Sequence, residues 1–72
     1  MRDYLVIFER SKDEGWGAYA PDLPGLGVAA ETREEVATLI REGIALHIAG
    51  LREDGLAIPE PVTQAELISV AM

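Results

Sequence analysis

Apolar positions in this chain fall into two regimes. Up to residue 30 they come in short blocks broken by polar or proline-bearing turns; from residue 33 they recur at helical spacing. The first block, Tyr4-Leu5-Val6-Ile7-Phe8-Glu9, is rich in β-branched and aromatic residues and predicts a strand. Ser11-Lys12-Asp13-Glu14-Gly15 is a polar turn ending in glycine, so a hairpin is expected. The returning strand is Trp16-Gly17-Ala18-Tyr19-Ala20, and Pro21 ends its pairing because proline offers no N–H to a ladder. Leu26 to Ala30 predicts a short third strand.

Thr32-Arg33-Glu34-Glu35 then predicts a capping box, in which the threonine hydroxyl accepts from the third helical N–H and Glu35 reaches back to the cap. The helix is expected from Arg33 to about Glu53, with Gly55 as the left-handed residue past its end. Pro59-Glu60-Pro61 forces an extended connection. The tail, Ala65 to Met72, admits two readings. Thr63 to Glu66 could cap a short helix, and Leu67 to Val70 could form a strand. The strand is favoured, since eight residues make a weak helix and the first three strands need a neighbour. The expected fold class is therefore α+β in the order β-β-β-α-β. One small antiparallel sheet carries one long helix on one face, as a single domain over 1–72.

At 100° per residue, Val36, Leu39, Ile40, Ile44, His47, Ile48 and Leu51 share one stripe of that helix. Gly43 and Gly50 lie along its edge. Each costs a helix interior about 1 kcal/mol relative to alanine, so a close approach to a strand is expected in return. His47 reads as a packed histidine, because no second metal ligand or orienting partner faces it on this helix.

One helix can cover only one face of such a sheet, yet the first strand is apolar on both. Tyr4, Val6 and Phe8 alternate with Leu5 and Ile7, and in the tail Ile68 and Val70 alternate with Leu67 and Ala71. Strands buried on both sides lose polar alternation in this way. The chain supplies no second cover, so Tyr4, Val6, Phe8, Ile68 and Val70 are expected to form an interface between copies.

Composition sharpens that expectation. With 72 residues and no cysteine, disulfides and thiolate metal sites are excluded, and a single histidine leaves no His-rich metal site. A chain this short usually needs outside support, and self-association, as a dimer or tetramer, is the support that remains. The net charge of −7 opposes a phosphate backbone and suits a basic protein partner. No segment reads as a signal peptide or reaches the roughly 20 apolar residues of a membrane span, so a cytoplasmic location is expected.

Between the second and third strands lies Pro21-Asp22-Leu23-Pro24-Gly25. Each proline fixes its own φ, and Pro24-Gly25 suits the two central positions of a type II turn. A stiff loop beside two aromatics binds a partner at low entropic cost, which makes Trp16, Tyr19, Pro21, Asp22, Leu23 and Pro24 candidate partner-binding residues. A tight turn capping the sheet, with the aromatics in the core, accounts for the same residues equally well.

Four segments in order and spacing then carry a resemblance. Tyr19-Ala20-Pro21-Asp22-Leu23-Pro24-Gly25, Glu31-Thr32-x-x-Glu35, Leu46-His47-Ile48-x-x-Leu51-x-x-Asp54-Gly55 and Ile58-Pro59-x-Pro61 together resemble the N-terminal domain of the HicB antitoxin family, over roughly residues 3 to 70. Leu26 and Ala30 depart from the family's usual small residue and glycine. The resemblance implies a partial ribonuclease-H-like fold, self-association, and binding to HicA, a small basic toxin that cleaves mRNA. The antitoxin would cover that toxin's RNA-binding surface. Family members usually carry a C-terminal DNA-binding domain; with Met72 as the last residue here, direct DNA binding is not expected.

Two other readings bear on function. An enzyme of ribonuclease H type needs carboxylates converging on divalent metals. The available acids, Asp3, Glu9, Asp22 and Glu31, fall at strand ends and in loops, so no catalytic residue, metal or cofactor is expected. An orphan oligomeric module of the same fold, with no toxin partner and a small-ligand role, is the remaining alternative.

Overall fold

A computed structural model describes residues 1–72. Three strands precede one helix: β1 (Ile7–Arg10), β2 (Trp16–Tyr19), β3 (Gly27–Ala30) and α1 (Arg33–Glu53). The strands form one antiparallel sheet in the order β1-β2-β3. Phe8 pairs with Ala18 and Ala18 with Val28, so these three share a face with Val6, Trp16 and Ala30. That face receives α1 through Val36 and Ile40. The α+β arrangement expected from the hydrophobic pattern is the one observed.

β1 is shorter than its sequence suggests, for a reason found on β2. Ile7 pairs with Tyr19, and beyond Tyr19 the chain turns away, with the Leu23 N–H donating to the Ala20 carbonyl. Tyr4 to Val6 therefore continue the line of β1 without a ladder partner.

The helix ends follow local chemistry. Thr32 is the N-cap; its hydroxyl accepts from the Glu35 N–H at 3.1 Å and donates to the Glu35 carboxylate at 2.9 Å. Glu35 thus reaches back to the cap's hydroxyl, where the usual box has it reach the cap's backbone N–H. At the far end Gly55 has φ +70°, the Leu56 N–H donates to the Leu51 carbonyl and the Gly55 N–H to the Arg52 carbonyl. That is a Schellman motif, and it reverses the chain.

The two helical glycines differ. A Cβ on Gly43 would sit 3.1 Å from Leu26 Cδ1 and 3.9 Å from Val28 Cγ1, which is the expected close approach to a strand. Gly50 has open space around it, so the same expectation is corrected there. The cause is length. Twenty-one helical residues span about 31 Å, against about 13 Å for a four-residue strand, so the C-terminal half of α1 overhangs the sheet. Ile44, His47, Ile48 and Leu51 are accordingly half-buried, and Leu39 and Leu46 are exposed.

The predicted fourth strand is not formed within the chain: residues 56–72 carry neither strand nor helix. The Tyr4 hydroxyl donates to the Pro59 carbonyl, Arg2 donates to the Ile58 carbonyl and pairs with Glu60 at 3.1 Å, and the backbone N–H groups of Val62 and Thr63 donate to Asp22. These bonds draw residues 58–63 across the end of the sheet. Beyond them no strand of the same chain lies alongside, and Leu67, Ile68, Val70 and Met72 stand in solvent. The radius of gyration is 14.1 Å, whereas a compact domain of this length has about 11 Å. Only five residues, Ala18, Ala20, Leu23, Val36 and Ile40, are buried, and of the larger ones only Leu23 and Val36 are fully so.

Candidate functional site

The proline loop is two turns in tandem. Pro21 follows Ala20, whose carbonyl accepts from the Leu23 N–H at 3.0 Å; Pro24 follows Leu23, whose carbonyl accepts from the Leu26 N–H at 3.3 Å. Gly25 has φ +88°, so the second is the expected type II turn. Each proline occupies the first central position, where its fixed φ is already correct. The tandem rolls Leu23 inward until it is wholly buried.

The loop also turns Asp22 toward the tail. Its carboxylate accepts from the Val62 N–H at 3.1 Å, the Thr63 N–H at 2.9 Å and the Thr63 hydroxyl at 2.7 Å. The Thr63 hydroxyl, then the Thr63 N–H, hold the Asp22 pKa below its ordinary value; desolvation opposes them less strongly, and the Val62 N–H adds the smallest lowering effect.

The candidate partner residues are therefore distributed, not gathered. Trp16 lies on the helix side of the sheet, with the Arg10 guanidinium 5.7 Å from its ring centre. Tyr19, three positions along the same strand, faces the opposite side and is exposed. Leu23 offers no surface to a partner, and Asp22 has its oxygens engaged by the tail. Pro24 is exposed and Pro21 half-exposed. The open face of the sheet carries Tyr19 beside Leu5 and Ile7, with Gly17, Gly27 and Ala29 adding little side-chain height.

The candidate interface residues divide in two. Val6 and Phe8 line a groove between β1 and α1, completed by Ala37, Ile40, Arg41 and Ile44, with a volume of about 240 Å³. It exists because α1 packs over β2 and β3 and leaves β1 partly bare. Tyr4 lines a second cavity of about 290 Å³ with Ile44, Ile48, Arg52, Ile58 and Arg2; Ile44 is common to both. Ile68 and Val70 lie on the exposed tail, apart from the groove.

Sequence reasoning missed Thr63 and Arg41. Nothing in the pattern marks Thr63 as the partner of a carboxylate in a loop 41 residues earlier. Arg41 falls outside the apolar stripe and is exposed, yet it rims the groove. Asp3, Glu9, Asp22 and Glu31 do not converge, and no group of three acidic, histidine or cysteine side chains is placed to hold a metal ion. No helix is long and apolar enough to cross a membrane.

Comparison with known proteins gives two matches. A family model described as HicB_like antitoxin of bacterial toxin-antitoxin system matches residues 4–71, from the start of the first apolar block through the tail. The UPF0150 protein ssr1765 of Synechocystis sp. is 35% identical over 66 residues, covering 92% of this chain and 78% of that protein. No solved structure matches significantly.

Proposed function

Because this chain belongs to the HicB-like antitoxin family, we propose that it is a protein-binding module that neutralises a small HicA-type, mRNA-cleaving toxin by covering its RNA-binding surface. The observation that supports this is where the charge sits. The net charge is −7, and none of the 13 acidic side chains is buried. A protein that grips RNA does so with a basic surface, and an acidic protein competes for that surface while being steered to it. The same charge repels DNA, so direct operator binding is not part of the reading, and no catalytic step is assigned. A cytoplasmic location, where mRNA is met, goes with it.

The proposed toxin-facing surface is the open sheet face around Tyr19, with Pro21 and Pro24 at its rim. Asp22 and Leu23 act from behind, one tying the loop to the tail and the other anchoring it in the core. Trp16 supports the sheet from the helix side. Self-association belongs to the same reading, and the exposed tail favours it whether or not a toxin is bound. An orphan oligomeric module would share that property alone.

The test takes as its candidate toxin any small basic protein that the neighbouring reading frame encodes. Added in equimolar amount, the chain should stop its cleavage of RNA, and Tyr19→Ala should weaken the inhibition at least about tenfold. Undiminished cleavage in the presence of the chain would sink the toxin reading and leave the oligomeric one.

A further inference from the structure

We propose that the tail, Leu67 to Met72, is the fourth strand of a second copy's sheet: it adds to the free edge of that copy's β1 and fills its β1–α1 groove, in a reciprocal exchange. This rests on the self-association just described and names how it occurs. Each copy carries an unsatisfied donor and an unsatisfied acceptor. The donor is the tail, whose Ile68 and Val70 are 74% and 70% exposed. The acceptor is β1, an edge strand with no neighbour on its outer side, bordered on the helix face by the Val6–Phe8 groove. An added strand satisfies the edge's backbone groups while alternate side chains enter adjoining pockets.

Shape and charge select this edge and this occupant. β3 is also an edge, but α1 packs over it, so the groove flanks β1 alone. As a strand, the tail places Ile68 and Val70 on one face and Leu67 and Ala71 on the other. Those faces match β1, whose Val6 and Phe8 look into the groove and whose Leu5 and Ile7 look out of it. Of the chain's six basic residues, Arg2, Arg41 and Arg52 line the groove and its continuation. The arriving segment follows directly on Glu66 and carries no basic group.

Topology explains why the partner is another copy. Asp22 fixes the tail's point of departure at Thr63, and the nine residues beyond it span about 30 Å when extended. They leave the body instead of folding back along their own β1, as the 49 Å long axis records. Two copies exchanging tails about a twofold axis leave no donor or acceptor unused, so the assembly closes.

Sedimentation of the full chain and two variants, with circular dichroism as the check of folding, tests this. The wild-type chain should be a dimer or a multiple of one at about 10 µM. The tail variant Ile68→Asp/Val70→Asp, altered where the single chain is exposed, should lose association by at least about a hundredfold. The groove variant Ala37→Glu should do the same. Mixing the two variants should restore a heterodimer, because a sound tail then meets a sound groove once. A monomeric wild-type chain overturns the exchange and self-association together. A dimer that survives both variants, or a mixture that stays monomeric, overturns the exchange and leaves self-association standing. If Ala37→Glu does not fold, amide exchange of the wild-type chain decides: residues 67–71 should be protected at high concentration and lose protection on dilution, and concentration-independent exchange overturns the proposal.

Discussion

Asp22 accepts two hydrogen bonds from Thr63, one from its backbone N–H at 2.9 Å and one from its hydroxyl at 2.7 Å, across a sequence separation of 41 residues. The loop between β2 and β3 thus decides where the C-terminal segment leaves the body. A carboxylate whose folded pKa lies below its unfolded value contributes stability above the ordinary value of 3.8, and that stability is lost as pH falls through the folded pKa. The Val62 and Thr63 amide signals should therefore hold steady from neutral pH down past 3.8 and shift together only below it. Thr63→Ala, which removes the largest cause of the depression, should move that transition upward. Amide signals that titrate at 3.8 in the unaltered chain would contradict the clamp.

Leu23 and Pro24 are adjacent and should behave oppositely. Leu23→Ala removes a wholly buried side chain and should cost about 2–5 kcal/mol in urea unfolding. Pro24→Ala alters an exposed turn position and should cost less than about 1 kcal/mol, by freeing the unfolded chain. Equal costs would mean that Leu23 is not the loop's anchor.

The helical glycines make a second opposed pair. Gly50→Ala gains helix propensity with nothing in its way and should stabilise by about 1 kcal/mol. Gly43→Ala gains the same propensity but meets Leu26 at 3.1 Å, so its net effect should be smaller or reversed. Thermal unfolding of the two variants side by side reads the difference.

Glu14 is the single non-glycine residue with positive φ, at +68°, in the turn between β1 and β2. Such a conformation costs a residue with a Cβ about 1 kcal/mol, so Glu14→Gly should recover much of that in chemical denaturation. Thr32→Ala, which removes the N-cap, should lose about 1 kcal/mol.

The elements legible in the sequence were those with local causes. Thr32 and Glu35 are three residues apart, and the Gly55 helix stop and the Pro24-Gly25 turn each depend on neighbours in the chain, so all three were found where expected. Long-range geometry was not legible in the same way. Trp16 and Tyr19 were grouped because both precede the loop, although strand alternation separates them onto opposite faces. The tail's apolar pattern reads as strand, and the single chain has no neighbour to make it one. Gly50 looked like Gly43 because periodicity does not reveal where the sheet ends beneath a helix. The groove lay hidden because its walls come from β1 and from α1, residues some thirty positions apart.

The five-residue core has a further consequence, for lifetime in the cell. A lone copy protects little of its backbone, and its exposed tail is open to any protease that cuts segments without secondary structure. Partner binding removes such copies from the vulnerable pool by mass action. With copies associating as proposed, the protein's half-life is expected to depend on its own abundance, falling sharply on dilution. Limited proteolysis across a concentration series, with rates that drop as concentration rises, is the corresponding measurement. Turnover would then be set by how crowded the chain is with its own kind.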